Sequence, residues 1–164
     1  DVALTNNTVA SGCGSWALKV SLVKTLEGMH HDCLRQIVGY NYYLHGHVKN
    51  EDIRAEALDA YTMETNLELR RCRWLEKIAN MGENRMPRKL LGAFCHGKTR
   101  RRGKQKATIR HGYVDTLKKL GFGSRSNDIS EWMPAARNPS LWAQIVEDRL
   151  GLQPGTYMKY KFRQ

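Results

Sequence analysis

The chain has 164 residues, 27 Lys and Arg against 16 Asp and Glu, a formal charge of +11 and 41% hydrophobic residues. That size and apolar content suit one compact domain burying roughly two thirds of its unfolded surface, and they exclude a disordered chain. No apolar run approaches the ~20 residues of a membrane span, and no basic-then-apolar secretion pattern is present. The basic excess points to nucleic acid, an anionic membrane surface or acidic protein, and does not by itself choose among them.

A first helix is expected from about Ser21 to Val38, where Leu22, Leu26, Met29, Cys33 and Ile37 recur at three- and four-residue steps before Gly39. His30 and His31 fall on a face of this helix, one of them packed. Strand signals are confined to Val9-Ala10 and Tyr40 to Leu44. A second helix follows Asn50 as N-cap, with Glu51 and Asp52 in the first turn, where the helix dipole favours acids, and Ile53, Ala57 and Tyr61 as its buried stripe. The third spans about Asn66 to Met81 and stops at Gly82. Its inner face carries Cys72, Leu75 and Ile78 or Ala79, and Trp74 wedges against another helix.

A fourth helix, about Thr108 to Leu120, aligns Ile109, Tyr113, Leu117 and Leu120 ahead of Gly121. A short helical turn holds Glu131-Trp132-Met133, and Asn138-Pro139 caps a sixth segment with Leu141, Trp142, Ile145, Val146 and Leu150. The expected fold class is therefore mainly α, a small bundle of about five to six helices with a basic loop between the third and fourth. An N-terminal extension (1–10), a helical domain (11–150) and a basic-aromatic tail (151–164) divide the chain. In the tail Tyr157, Tyr160 and Phe162 alternate with Lys159, Lys161 and Arg163, a pattern that fits a strand-like edge, a single-strand clamp or a partner-docking peptide. Its removal is expected to spare the folded body.

Cys13, Cys33, Cys72 and Cys95 form no C-x-x-C pair, so reduced thiols are expected. Cys95-His96, His45-Gly46-His47 and His30-His31 lack zinc-finger spacing, so neither a metal nor another cofactor is expected. Ser11-Gly12-Cys13-Gly14-Ser15 has no following Lys-Ser/Thr and reads as a tight turn instead of a P-loop. His45-Gly46-His47 beside Asn50 and Glu51 reads as an exposed turn, not an acid/base pair.

The stretch that carries function is the basic loop. Lys98, Arg100, Arg101, Arg102, Lys104, Lys106 and Arg110 supply seven cations with no acid among them, and Arg85, Arg88 and Lys89 flank them. A surface charged only for solubility intersperses both signs. Gly97 and Gly103 allow the backbone close to a phosphate. The expected partner is RNA or another polyanion, contacted at phosphates, which position a protein without reading sequence.

Several of these stretches together resemble one family. Gly12-Cys13-Gly14-Ser15-Trp16-Ala17-Leu18 is similar to "Y-G-x-E-T-W-x-L", and Leu26 to Gly39 to "L-E-x-F-H-x-R-C-L-R-x-I-L-G". Val48-Lys49-Asn50-Glu51-Asp52-Ile53 resembles "V-T-N-E-E-V". Cys72-Arg73-Trp74-Leu75 through Met81, then Arg85-Met86-Pro87-Arg88-Lys89-Leu90-Leu91, resembles "L-R-W-L-G-H-V-x-R-M-P-D-D-R-x-P-x-x-L-L". Trp132 to Trp142 is similar to "W-x-x-x-A-x-D-R-x-x-W". These runs, collinear over about residues 11 to 146, are those of the thumb and post-polymerase region of non-LTR (LINE-type) retrotransposon reverse transcriptases.

The resemblance implies a helical domain that helps to hold template RNA and primer without carrying the polymerase carboxylates. The chain departs from the pattern at Met29, at Gly14-Ser15 and at Glu76-Lys77, which stands where the pattern has Gly-His. No Tyr-x-Asp-Asp occurs, so the carboxylates that would hold two Mg²⁺ ions for nucleotide transfer are missing and no polymerase activity is expected of this chain alone. Two functions follow as expectations: a non-catalytic RNA-binding domain, or a structural subunit recruited into a large organellar assembly such as a ribosome or an energy-converting membrane complex. A retroelement product implies a nuclear or cytoplasmic location. Because the sequence starts at Asp1 without Met, import processing into an organelle stays open.

Overall fold

A computed structural model of the chain describes residues 20–57, 61–93, 109–122 and 129–162. Among these residues the protein is mainly α-helical, with no strand and nine helices: α1 Val20–Val38, α2 Tyr42–His45, α3 Asn50–Glu56, α4 Met63–Ala79, α5 Met86–Ala93, α6 Ile109–Lys119, α7 Ile129–Arg137, α8 Pro139–Leu150 and α9 Thr156–Phe162. They fall into two compact units, and the division comes after Leu67, inside α4.

In the first unit, α1 ends where expected. Gly39 turns left-handed at φ +77, and the Tyr40 amide reaches back to the Arg35 carbonyl at 2.8 Å. The chain then forms α2 where a strand was expected, because the Asn41 side chain accepts from the Tyr43 amide and nucleates a helical turn. α3 starts at Asn50 itself, with Lys49 as its cap; the Asn50 side-chain oxygen accepts from Arg35 instead. α3 closes at Glu56, so Tyr61 lies beyond it and is exposed. α4 begins three residues earlier than Asn66, since the Thr62 hydroxyl accepts from the Thr65 amide and supplies the cap.

The core of this unit is Leu34, Ile53 and Ala57, with Val38, Tyr40 and Val48 packed on it. The apolar stripe of α1 was expected to face that core and does not. Met29 is 49% exposed, Leu22 and Ile37 are exposed, and Leu26 and Cys33 are half-buried. The inward face is Leu34 together with His30 and His31, both buried. The apolar residues of α1 cover a broad arc, and α3 packs along one edge of it, where Leu34 and the histidines lie.

The second unit is built on α4. Its inner face, Leu69, Cys72, Leu75 and Ala79, joins Tyr113, Leu117 and Leu120 of the α6 segment, Trp132, Met133 and Ala136 of α7, Trp142, Ala143 and Val146 of α8, and Tyr157 of α9 in one core. Trp132 and Phe122 lie against Trp142, with ring centres 6.4 and 6.2 Å away. Trp74 is half-buried at the margin of this core. α8 has both its stops: Asn138 accepts from the Ser140 and Leu141 amides, Pro139 occupies the first turn, and Gly151 closes the helix at φ +64. Burial, seconded by the Glu68 charge, pushes the Cys72 thiol up, so it stays protonated.

The tail is not an extension. Residues 156–162 form α9, whose start is capped by the Glu147 carboxylate accepting from the amides of Gly155 and Tyr157 at 3.0 and 2.8 Å. Tyr157 is 1% exposed and its hydroxyl donates to Glu76 at 2.9 Å, so it is a core residue and not the docking side chain expected of it. Alternation with lysines concealed this, because a single ring with a buried acceptor leaves no local period. Burial, then the Glu76 charge, pushes the Tyr157 phenol up, which keeps it a donor.

Replacing Tyr157 by Ala should cost the second unit about 3–5 kcal/mol, and replacing it by Phe about 1–3 kcal/mol through loss of the hydroxyl donor. Denaturant unfolding followed by tryptophan fluorescence measures both. A chain lacking Gly155 to Gln164 that unfolds at the wild-type midpoint would show that α9 contributes nothing to the core.

Candidate polyanion-binding surface

The expected phosphate contacts fall between α5 and α6, so what fixes those two helices fixes the ends of the basic segment. α6 is held to α4 by a buried carboxylate. Glu68 receives the Thr116 hydroxyl at 2.5 Å and the Lys119 ammonium at 2.9 Å, and Arg71 lies 3.5 Å from it. The Arg71 guanidinium passes so close to α6 that a Cβ on Gly112 would come within 3.2 Å of it. A glycine inside a helix costs about 1 kcal/mol relative to Ala, and here it makes room for the arginine.

The other end is fixed by a turn. Arg88 of α5 donates to the Met81 carbonyl at 2.6 Å and to Glu83 at 3.2 Å, which closes residues 81–88 on themselves. Arg88 therefore serves the turn. Arg85 and Lys89, its neighbours on the same turn and helix, are exposed. Neither side chain makes a hydrogen bond or ion pair to the described residues.

Lys98, Arg100, Arg101, Arg102, Lys104 and Lys106 lie outside the described residues, as does the side chain of Arg110, whose backbone is in the first turn of α6. Tyr160 and Phe162 are in α9, with side chains outside the description. The first stretch of the family resemblance, Gly12 to Leu18, also lies outside it.

Sequence reasoning overlooked the outer face of α4. Arg70, Arg73 and Lys77 recur at three and four residues, opposite Cys72 and Leu75, with Lys77 exposed and the two arginines half-buried. The signal was in that spacing, but the denser basic run downstream drew the reading away from it. Lys118 is a further exposed cation, in the last turn of α6, where the helix dipole favours it. Among the described cations of this unit, Arg71, Arg88, Lys119 and Arg137 (which donates to the Ala79 carbonyl at 3.2 Å) are engaged within it, whereas Lys77, Arg85, Lys89, Lys118, Arg149 and Lys159 are exposed.

Comparison with protein-family models, with curated proteins and with solved structures finds no match to this chain. Among the described residues no three His, Cys, Asp or Glu side chains converge as a metal site would require, and no helix is long and apolar enough to cross a membrane.

The sorting of cations is measurable. Arg85→Gln and Lys89→Gln should each reduce the log–log salt slope of RNA binding by about 0.7–0.9 and leave the melting temperature unchanged. Arg88→Gln should do the reverse, lowering stability by about 1 kcal/mol with the slope intact. Salt titrations paired with thermal melts separate the two classes, and a slope loss confined to Arg88→Gln would invert the assignment.

Proposed function

We propose that this chain is a non-catalytic nucleic-acid-binding domain, of the kind found in the thumb and tail of LINE-type reverse transcriptases, that holds RNA or an RNA-containing duplex through its phosphates. The segregation of charge carries this reading. From Glu68 to Gln164 there are 22 Lys and Arg against 8 Asp and Glu, a formal +14, whereas residues 1–67 hold 5 against 8, a formal −3. Charge divided in this way concentrates the positive potential on the unit that bears the basic segment and draws a polyanion there. The two anchored helices at its ends add a second support, because a phosphate ligand on a fixed frame loses less freedom on binding.

Filter binding or fluorescence anisotropy across a salt series tests the reading. Six engaged loop cations give a log–log slope of roughly −4 for single-stranded RNA and −5 for a duplex. Replacing Arg100, Arg101 and Arg102 by Gln should reduce that slope by about two to three units without changing the melt. Affinity that ignores salt, or a slope unchanged in the triple variant, would remove it.

One observation favours a second reading, a structural subunit of a large organellar assembly. Glu76 stands where the resembled pattern has Gly-His, and it is the acceptor for Tyr157 of α9, which lies beyond the resemblance. A departure matched by an added helix suits a domain adapted to stand in new surroundings. On this reading the chain leaves its native source with a fixed set of proteins and no RNA, and Tyr160→Ser with Phe162→Ser releases them. Recovery of RNA without fixed protein partners would exclude it.

A further inference from the structure

The first unit holds its helices together with a cluster that contains a buried imidazole lacking any counterpart. His30 is 4% exposed, and among the described residues neither of its ring nitrogens has a hydrogen-bond partner. On the same helix, one residue on, His31 is equally buried, with the ring centres 6.1 Å apart. Arg54 of α3 donates to Nε2 of His31 at 3.1 Å. Arginine has no acceptor, so in this contact the His31 nitrogen is the acceptor. Glu27 completes the cluster. One carboxylate oxygen lies 3.5 Å from His31 and 3.6 Å from Arg54, and the other accepts from the Met63 amide at the start of α4 at 2.6 Å.

These contacts join three segments of the unit, α1, α3 and the first residue of α4, beside the apolar cluster of Leu34, Ile53 and Ala57. Among the described residues, the charged and titratable groups facing His30 are Glu27 and His31 from α1 and Arg54 from α3. A proton on His30 would add a second cation beside Arg54 and a buried N–H that meets no acceptor in the closed arrangement. One oxygen of the Glu27 carboxylate is taken by the Met63 amide, and the other makes no hydrogen bond and lies nearest His31 and Arg54.

We propose that the Glu27–His30–His31–Arg54 cluster is a proton-operated latch: the first unit is closed while His30 is neutral, and uptake of a proton at that ring releases α1 from α3 and from the start of α4. The direction of the pH dependence follows from His30. Burial lowers its imidazole below the ordinary 6.5, with Glu27 opposing and with His31 and Arg54 adding to the lowering. The opened state therefore binds the proton more readily than the closed one. Stability of the closed unit is full above the ordinary value, is lost as pH falls through 6.5 towards the lowered value, and falls no further from this cause below that.

The test is hydrogen exchange on the full chain, with residue-level protection factors between about pH 8 and 5, together with NMR titration of the His30 ring. The opening constant of α1 and α3 amides should rise by up to tenfold per pH unit below about 6.5, as one proton requires, while α8 amides keep their protection. His30→Phe, which keeps a flat ring and removes the titration, should abolish that rise. Should the variant not fold, the ring titration in the unsubstituted protein decides: a midpoint below 6.5 supports the latch, and one at or above 6.5 overturns it. A pH-dependent rise that persists in His30→Phe, or loss of protection in α8 in step with α1, also overturns it.

Discussion

Two carboxylates buried on the inner face of α4 set the terms for the second unit. Glu68 and Glu76 lie two helical turns apart with Cys72 midway, and removing an ionised carboxylate from water costs several kcal/mol unless its lone pairs are filled. Each is filled by a different helix. Thr116 and Lys119 of α6 serve Glu68, and Tyr157 of α9 serves Glu76. Between them the Trp142 indole of α8 donates to the Cys72 carbonyl at 3.2 Å. Successive turns of one helix thus each tie down one further helix, and because these ties are directional they fix register in a way that apolar packing alone leaves loose.

That arrangement also decides which cations remain for a ligand. Arg71 and Lys119 are drawn onto Glu68 and Arg88 onto the turn at Met81, so the helices beside the basic segment are positioned by charges engaged within the unit. Arg85, Lys89, Lys77 and Lys118 are left exposed on the same unit. An excess of positive charge thereby both fastens these helices and leaves exposed cations on the same unit, and the buried carboxylates separate the two groups.

Much of the helical skeleton was legible in the residues. α8 was read with its opening cap because Asn138-Pro139 is a local signal, and α6 was read with its inward face because Tyr113, Leu117 and Leu120 recur at the helical period and Gly121 ends the run. What failed was whatever depended on distant partners. The stripe of α1 gave the right helix and the wrong inward face, since periodicity marks an apolar arc without saying which edge a neighbour will use. Nothing near Glu68 and Glu76 in sequence announces a threonine 48 residues on or a tyrosine 81 residues on. The same blindness left Tyr157 in a tail. Of the expected contact residues, the placement of Arg85 and Lys89 was legible from charge, whereas the commitment of Arg88 to a carbonyl seven residues back was not.

The long separations across which α4 is tied bear on how freely the basic segment can change. The bonds to Thr116, Trp142 and Tyr157 close chain intervals of 48, 70 and 81 residues, and each interval contains the fifteen residues between Ala93 and Ile109. The entropy of closing an interval grows only with the logarithm of its length, so ten residues added to the shortest of the three raise the cost by about 0.2 kcal/mol. The closure of these three ties therefore sets only a weak limit on the length of that segment, and the helical frame is compatible with a longer or shorter reach between Ala93 and Ile109.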